Sequence, residues 1–208
     1  MNRVKEIFTG AFLILLFSGY AMAGETIGLA PLFGLSKSLS GTYNTGQKST
    51  DILQPGVLYG LSFSRDISPH YWIEVQGIYT ALYFKKEARP NTQRKQVFVV
   101  PSLIFSNNIQ WNVGPAGLYL PLGVGIYFWK YSIDGPNSDA VQYEGEKLKK
   151  MSPGFSTGLG LSVQLNRHFS VFADGRYHYI LCKDKFFFGE KFSEQGLFFG
   201  TTGIRFLF

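Results

Sequence analysis

From Phe155 to Leu165 the chain alternates. Phe155, Thr157, Leu159, Leu161, Val163 and Leu165 hold one set of positions, and Ser156, Gly158, Gly160, Ser162 and Gln164 hold the other. A period of two belongs to an extended strand, whose successive side chains point to opposite faces. The stretch before it repeats the pattern: Leu118, Leu120, Leu122, Val124, Ile126 and Phe128 face one way, and Gly117, Tyr119, Pro121, Gly123, Gly125 and Tyr127 the other. Eight such segments succeed one another, at 25–36, 55–66, 70–84, 96–106, 115–131, 153–166, 169–182 and 196–208. Each is long enough for the roughly 9–11 tilted residues with which a strand crosses a bilayer.

The connections alternate as well. Asp66 to Pro69, Asn107 to Gly114 and Asn166 to His168 are short and hold turn-forming Asn, Asp, Gly and Pro. The stretches 37–54, 85–95, 132–152 and 183–195 are long, polar and charged. An even strand number, with short turns at one end and long loops at the other, predicts an all-β, antiparallel, up-and-down transmembrane barrel. The chain finishes on Gly203-Ile204-Arg205-Phe206-Leu207-Phe208, in which Ile204, Phe206 and Phe208 share one face. Such an aromatic end suits a last strand whose outer face meets lipid.

At the other end, Arg3 and Lys5 precede the apolar run Ala11 to Phe17, and Ala21-Met22-Ala23 is a small-x-small site followed by Gly24. This is the pattern of a cleaved secretory signal peptide, residues 1–23, with an apolar core too short to span a bilayer. The barrel domain is then expected over 24–208. No internal apolar run reaches the roughly 18 residues of a membrane helix, so insertion falls to strands. A single cysteine, Cys182, rules out an intramolecular disulfide; it reads as a structural strand-end residue, with a reactive thiol or a dimer link as the alternatives.

Gly158 to Asn166, then Phe169-Ser170-Val171 and Asp174-Gly175-Arg176-Tyr177, resembles the penultimate hairpin of the small outer-membrane β-barrel proteins of the OmpA and OmpX type. Phe206 and Phe208 resemble that group's C-terminal assembly signal, which implies recognition by the barrel assembly machinery. The resemblance covers the expected domain as architecture and implies an outer-membrane location and a monomer, but no activity. It departs from full-length OmpA proteins in having no peptidoglycan-binding domain after Phe208, so tethering of the cell wall is not implied.

Phase separates the lipid-facing residues from the interior ones. Glu74 and Gln76 alternate with Ile73 and Val75, Asp174 and Arg176 with Ala173 and Tyr177, and Arg205 with Ile204 and Phe206. An eight-stranded barrel is just wide enough to be filled by side chains, so Glu74, Asp174, Arg176 and Arg205 are expected to form an interior charge cluster. Asp174 and Arg205 lie on neighbouring strands and are the expected pair. The cluster reads either as a charge-paired plug or as a gated ion path or catalytic group. Tyr71, Trp72 and Phe169 near the short turns, and Tyr83, Phe84, Phe128, Trp129 and Tyr131 near the long loops, read as two interfacial girdles. In a soluble sandwich the opposite face would be charged; here it is glycine, serine and alanine.

Candidate chemistry is sparse. His168-Phe169-Ser170 has the His-x-Ser spacing that resembles outer-membrane lipid A deacylases, yet it sits at a short turn with no acid at a suitable place. His70 is also beside a turn, and His178 points inward with no serine on its strand to accompany it. No catalytic triad assembles. No metal-ligand spacing or phosphate loop is present, and no cofactor is expected. The formal net charge is +6, and Lys85, Lys86, Arg89, Arg94 and Lys95 would emerge on the long-loop side, where phosphates of lipopolysaccharide are within reach. Nucleic acid is not an expected partner of an exported barrel. Two functions follow: a non-enzymatic barrel acting in membrane integrity or surface interaction through its loops, or a lipid A-modifying enzyme. A small-solute pore is disfavoured by the crowded interior.

Overall fold

The computed structural model describes residues 26–44, 47–88, 95–143, 145–182, 184–187 and 190–208. The expected signal peptide, and Arg89 and Arg94, lie outside the described residues. Among the described residues, the barrel strands are β1 Ile27–Ser40, β2 Gly56–Ser68, β3 Tyr71–Tyr83, β4 in two segments, Val97–Val99 and Ser102–Val113, β5 Ala116–Ser132, β6 Lys149–Asn166, β7 Phe169–Ile180 and β8 Gln195–Leu207. Each pairs antiparallel with the next, and β8 returns to β1, with Leu207 opposite Gly28 and Gly200 opposite Leu35. The sheet is a closed eight-stranded barrel. Closure satisfies the backbone groups that an open edge would leave bare in lipid.

The alternation sorts the two faces as the sequence pattern requires. Phe33, Leu35, Leu61, Leu159 and Leu161 are each about 60% exposed, forming an apolar outer belt, while Leu32, Ser36, Leu58, Ser62 and Tyr119 on the same strands or their neighbours are buried inside. Gly160 makes room within: a Cβ there would overlap the ring of Tyr119, which is buried in the barrel interior.

Several boundaries differ from the sequence expectation; β1 runs on to Ser40, so that Lys37 to Ser40, read as the start of a long loop, pair with β8. Pro101 cannot donate to the ladder, so β4 is interrupted at Val100-Pro101, where the Val100 amide reaches the Thr80 carbonyl at 2.9 Å. Asn107 and Asn108, read as the start of a turn, instead lie inside β4. Asn107 accepts the Tyr71 hydroxyl and Asn108 donates its side-chain amide to the Trp72 carbonyl at 3.4 Å, so their polar groups are used across strands. The turn shrinks to Gly114-Pro115, with Gly114 at φ +62°. Finally, β6 begins at Lys149 and carries Pro153 within it, opposite Ile126 of β5.

The aromatic girdles are only partly outside. Tyr83 and Phe128 are half-buried and Phe169 is exposed, but Trp72, Phe84, Trp129 and Tyr131 are buried inside the barrel. Trp72 and Phe84 are in phase with Glu74, and Trp129 and Tyr131 with Tyr119. The period of two had already assigned them inward.

The long connections all leave from one end and carry structure of their own. Thr42–Asn44 pairs with Gln47–Lys48, Gln142–Tyr143 with Glu146–Lys147, and Asp184–Phe187 with Glu190–Phe192. A single helical turn, Ser49–Ile52, follows the first hairpin.

Candidate functional site

The barrel interior is stacked in layers. At mid-height Arg176, on β7, projects across the lumen. Its Nη2 donates to Glu74 Oε2 of β3 at 2.8 Å and to Asp174 Oδ2 at 2.7 Å, its Nε donates to the same Asp174 oxygen at 3.1 Å, and its Nη1 donates to Ser106 Oγ of β4 at 3.1 Å. The carboxylates are satisfied in turn. Glu74 accepts the Ser62 hydroxyl from β2, while Asp174 accepts the Thr201 hydroxyl from β8 and the Tyr119 hydroxyl from β5, the last at 2.9 Å. Six strands thus contribute to one network. Arg176 and Glu74 are each 1% exposed and Asp174 6%. Charges this deep are costly unless paired and hydrogen-bonded, as these three are.

Arg205 is also buried, at 6% exposure, but it does not join this network. The expected Asp174–Arg205 pair is absent because of register: Asp174 faces Thr201 across the β7–β8 ladder, and Arg205 faces Ser170, four residues nearer the short turns. Arg205 lies one level lower, with its guanidinium carbon 4.0 Å from the centre of the Trp72 ring and 5.2 Å from that of Phe172. Strand adjacency suggested contact; the offset along the strand decided against it.

On the long-loop side of the network, His178 is fully buried. Its Nδ1 is 2.8 Å from the Tyr127 hydroxyl and its ring centre 4.1 Å from that of Phe199. His168 is exposed at its turn. Among the described residues no three His, Cys, Asp or Glu side chains gather as a metal centre.

Above His178 the lumen is filled with aromatic side chains. Tyr43 and Phe192, supplied by the loops, pack against Phe84, Phe98, Trp129 and Tyr131 of the barrel, with ring centres 5.0 Å apart for Tyr43–Phe84, 5.2 Å for Trp129–Phe192 and 6.1 Å for Phe98–Phe192. Trp129 donates its indole N–H to Ser152 at 3.0 Å. Sequence reasoning missed this plug. The signal was present in the inward phase of Phe84, Trp129 and Tyr131, but the arrival of Tyr43 and Phe192 depends on how the loops fold.

The remaining singled-out residues sit at the two ends. Lys85 is half-buried, its ammonium donating to the Thr50 carbonyl at 3.4 Å, while Lys86 and Lys95 are exposed on the long-loop side. At the other end Phe206 faces outward with its ring 5.3 Å from that of Phe169, and Phe208 is exposed while its backbone N–H donates to the Ile27 carbonyl at 2.9 Å.

No protein-family model matches the chain, and no curated protein matches it. Solved structures do match in fold. Neisserial surface protein A (NspA) superposes with a TM-score of 0.55 at 14% identity, over 89% of this chain and 98% of that one. A major outer membrane protein from Thermus thermophilus gives 0.57 at 10% identity, over 89% and 100%. The attachment invasion locus protein Ail of Yersinia pestis, solved in complex with the heparin analogue sucrose octasulfate, gives 0.50 at 16% identity, over 90% and 100%. The fold is that of the small eight-stranded outer-membrane β-barrels. The protein is a membrane barrel with an apolar belt and a packed lumen.

Proposed function

We propose that the protein is a non-enzymatic outer-membrane scaffold that acts in surface interaction and membrane integrity through its long loops. The observation that carries this reading is the filled lumen: an arginine held between two carboxylates, capped by an aromatic plug to which the loops contribute. A barrel so filled offers no continuous path for solutes, and loops anchored on a rigid wall are suited to presenting a surface. It is exported with a leader that is cleaved, inserted by the barrel assembly machinery, and works as a monomer.

The loop surface favours an anionic partner. Lys85, Lys86 and Lys95 belong to one connection, and Lys48, Lys147, Lys149 and Lys150 lie on the same side of the barrel. The partner proposed is lipopolysaccharide, met through its phosphate groups. Ail, of like fold, was solved with a sulfated saccharide analogue, and clustered cations facing sulfate or phosphate use the same electrostatics. The test compares binding of folded protein to vesicles with and without lipopolysaccharide, for wild type and for the triple variant Lys85→Gln, Lys86→Gln, Lys95→Gln. The reading expects salt-sensitive preference for lipopolysaccharide that the triple variant weakens. Altered lipid A in cells that carry the protein, seen by mass spectrometry, would overturn it in favour of an enzyme.

A further inference from the structure

Lys130 on β5 and Lys149 on β6 stand directly opposite each other across the ladder. Both are in the outward phase, Lys130 with Ile126 and Phe128 and Lys149 with Met151 and Phe155, where the apolar belt ends on the long-loop side. Opposite residues of an antiparallel pair have Cβ atoms about 4.5–5.5 Å apart, and like charges so placed repel. Lys130 donates to the Ser138 carbonyl at 3.0 Å, which positions its ammonium without neutralising it. Lys149 forms no hydrogen bond or ion pair among the described residues. Two uncompensated positive charges thus sit side by side at the upper edge of the belt.

The same two strands carry a groove lower on the outer wall. Its volume is about 490 Å³, and its lining includes Phe105, Leu122, Val124, Phe155, Thr157 and Tyr179. Phe105, Val124, Phe155 and Tyr179 stand in one row across four strands, so that rings rise on either side of the shorter valine. All four are exposed on the lipid-facing side. Val124 lies six residues from Lys130, and Phe155 six from Lys149. That separation is roughly 20 Å along the strand and about 15 Å of depth once strand tilt is allowed for. It equals half of the ~30 Å hydrocarbon core. An acyl chain whose head group is held at the lysines therefore ends in the groove.

We propose that the β5–β6 face is a docking site for one lipid A unit of lipopolysaccharide, with a phosphate monoester bridging Lys130 and Lys149 and an acyl chain lying in the groove. Two adjacent ammonium groups match the charge of a phosphate monoester, about −1.5 to −2 near neutral pH; the diester of a glycerophospholipid carries one charge. Long loops mark the extracellular end of an outer-membrane barrel, so the lysine pair faces the leaflet that holds lipopolysaccharide. The inference rests on the reading of lipopolysaccharide as partner, and it adds a fixed site on the wall to the contacts made by the loops.

The test is retention of lipid A by folded protein in detergent micelles, measured by native mass spectrometry, with phosphatidylglycerol as the competing probe. Wild type should keep one lipid A and prefer it to phosphatidylglycerol. The double variant Lys130→Gln, Lys149→Gln should weaken retention about tenfold. Thr157→Trp fills the groove from an exposed outward position and leaves every charge in place. It should weaken retention too, and it tests the site even if the lysine variant fails the heat-dependent mobility check of folding. Wild-type retention that is weakened by Lys85→Gln, Lys86→Gln, Lys95→Gln but by neither wall variant would overturn this site and leave the loop reading standing. No retention by wild type would overturn both, and equal retention of phosphatidylglycerol would overturn the assignment to lipid A.

Discussion

The guanidinium of Arg176, rooted on β7, meets the carboxylate of Glu74, rooted on β3 on the far side of the lumen, at 2.8 Å. A contact between strands so separated in sequence ties the barrel across its diameter, and the same arginine also holds Asp174 at 2.7 Å. The pairing makes the buried charges tolerable; it does not by itself make the barrel more stable than an apolar filling would.

Removing one partner is therefore expected to be costly. Glu74→Ala leaves Arg176 with one carboxylate and opens a void beside Ser62, and should lower unfolding stability by about 3–5 kcal/mol. Arg176→Met, which removes the cation but leaves two facing acids, should also destabilise. The triple change Glu74→Leu, Asp174→Leu, Arg176→Met should lose less than Glu74→Ala. Thermal unfolding in micelles, followed by the strand circular dichroism signal and by the heat-dependent gel shift, measures all three.

Deleting Phe208 should reduce the fraction of protein recovered in the outer membrane. Its backbone N–H donates to Ile27 and so helps fasten the last strand to the first, and its side chain is exposed, as an assembly signal would need to be. Fractionation of cells expressing the shortened chain checks this. Undiminished outer-membrane recovery would separate the terminal aromatic from assembly.

Tyr43→Ala should loosen the mouth while sparing the wall. The ring packs on Phe84, Tyr131 and Phe192, and its truncation removes contacts worth about 3–5 kcal/mol in a packed core. The expected outcome is faster proteolytic nicking within 41–55 with little change in barrel melting. Equal nicking rates for wild type and variant would mean that the loops are held by other contacts.

Much of the architecture was legible because a membrane barrel obeys a simple rule: one residue out, one residue in. That rule alone places Glu74, Asp174, Arg176 and Arg205 inside. It could not supply register, and so it matched Asp174 to Arg205 when Thr201 stands opposite the acid and Arg205 lies four residues away. Composition misled where it was read without phase. Trp72 and Trp129 were grouped with interfacial aromatics by their nearness to strand ends, although their period put them in the lumen. Asn107 and Asn108 resembled a turn because turn propensity is local, whereas their hydrogen bonds to Tyr71 and Trp72 come from the neighbouring strand. The loop contribution to the plug, Tyr43 and Phe192, carries no periodic signal at all.

Planar-bilayer recording tests the closed lumen most directly. Wild-type protein should show little steady conductance, because the Arg176 network and the aromatic plug fill the path at two levels. Asp174→Ala, which removes the acceptor of Arg176, Tyr119 and Thr201 together, should show lower thermal stability or new channel events as water enters to solvate the arginine. A large wild-type conductance that rises in proportion to salt concentration would contradict the account and make the barrel a pore.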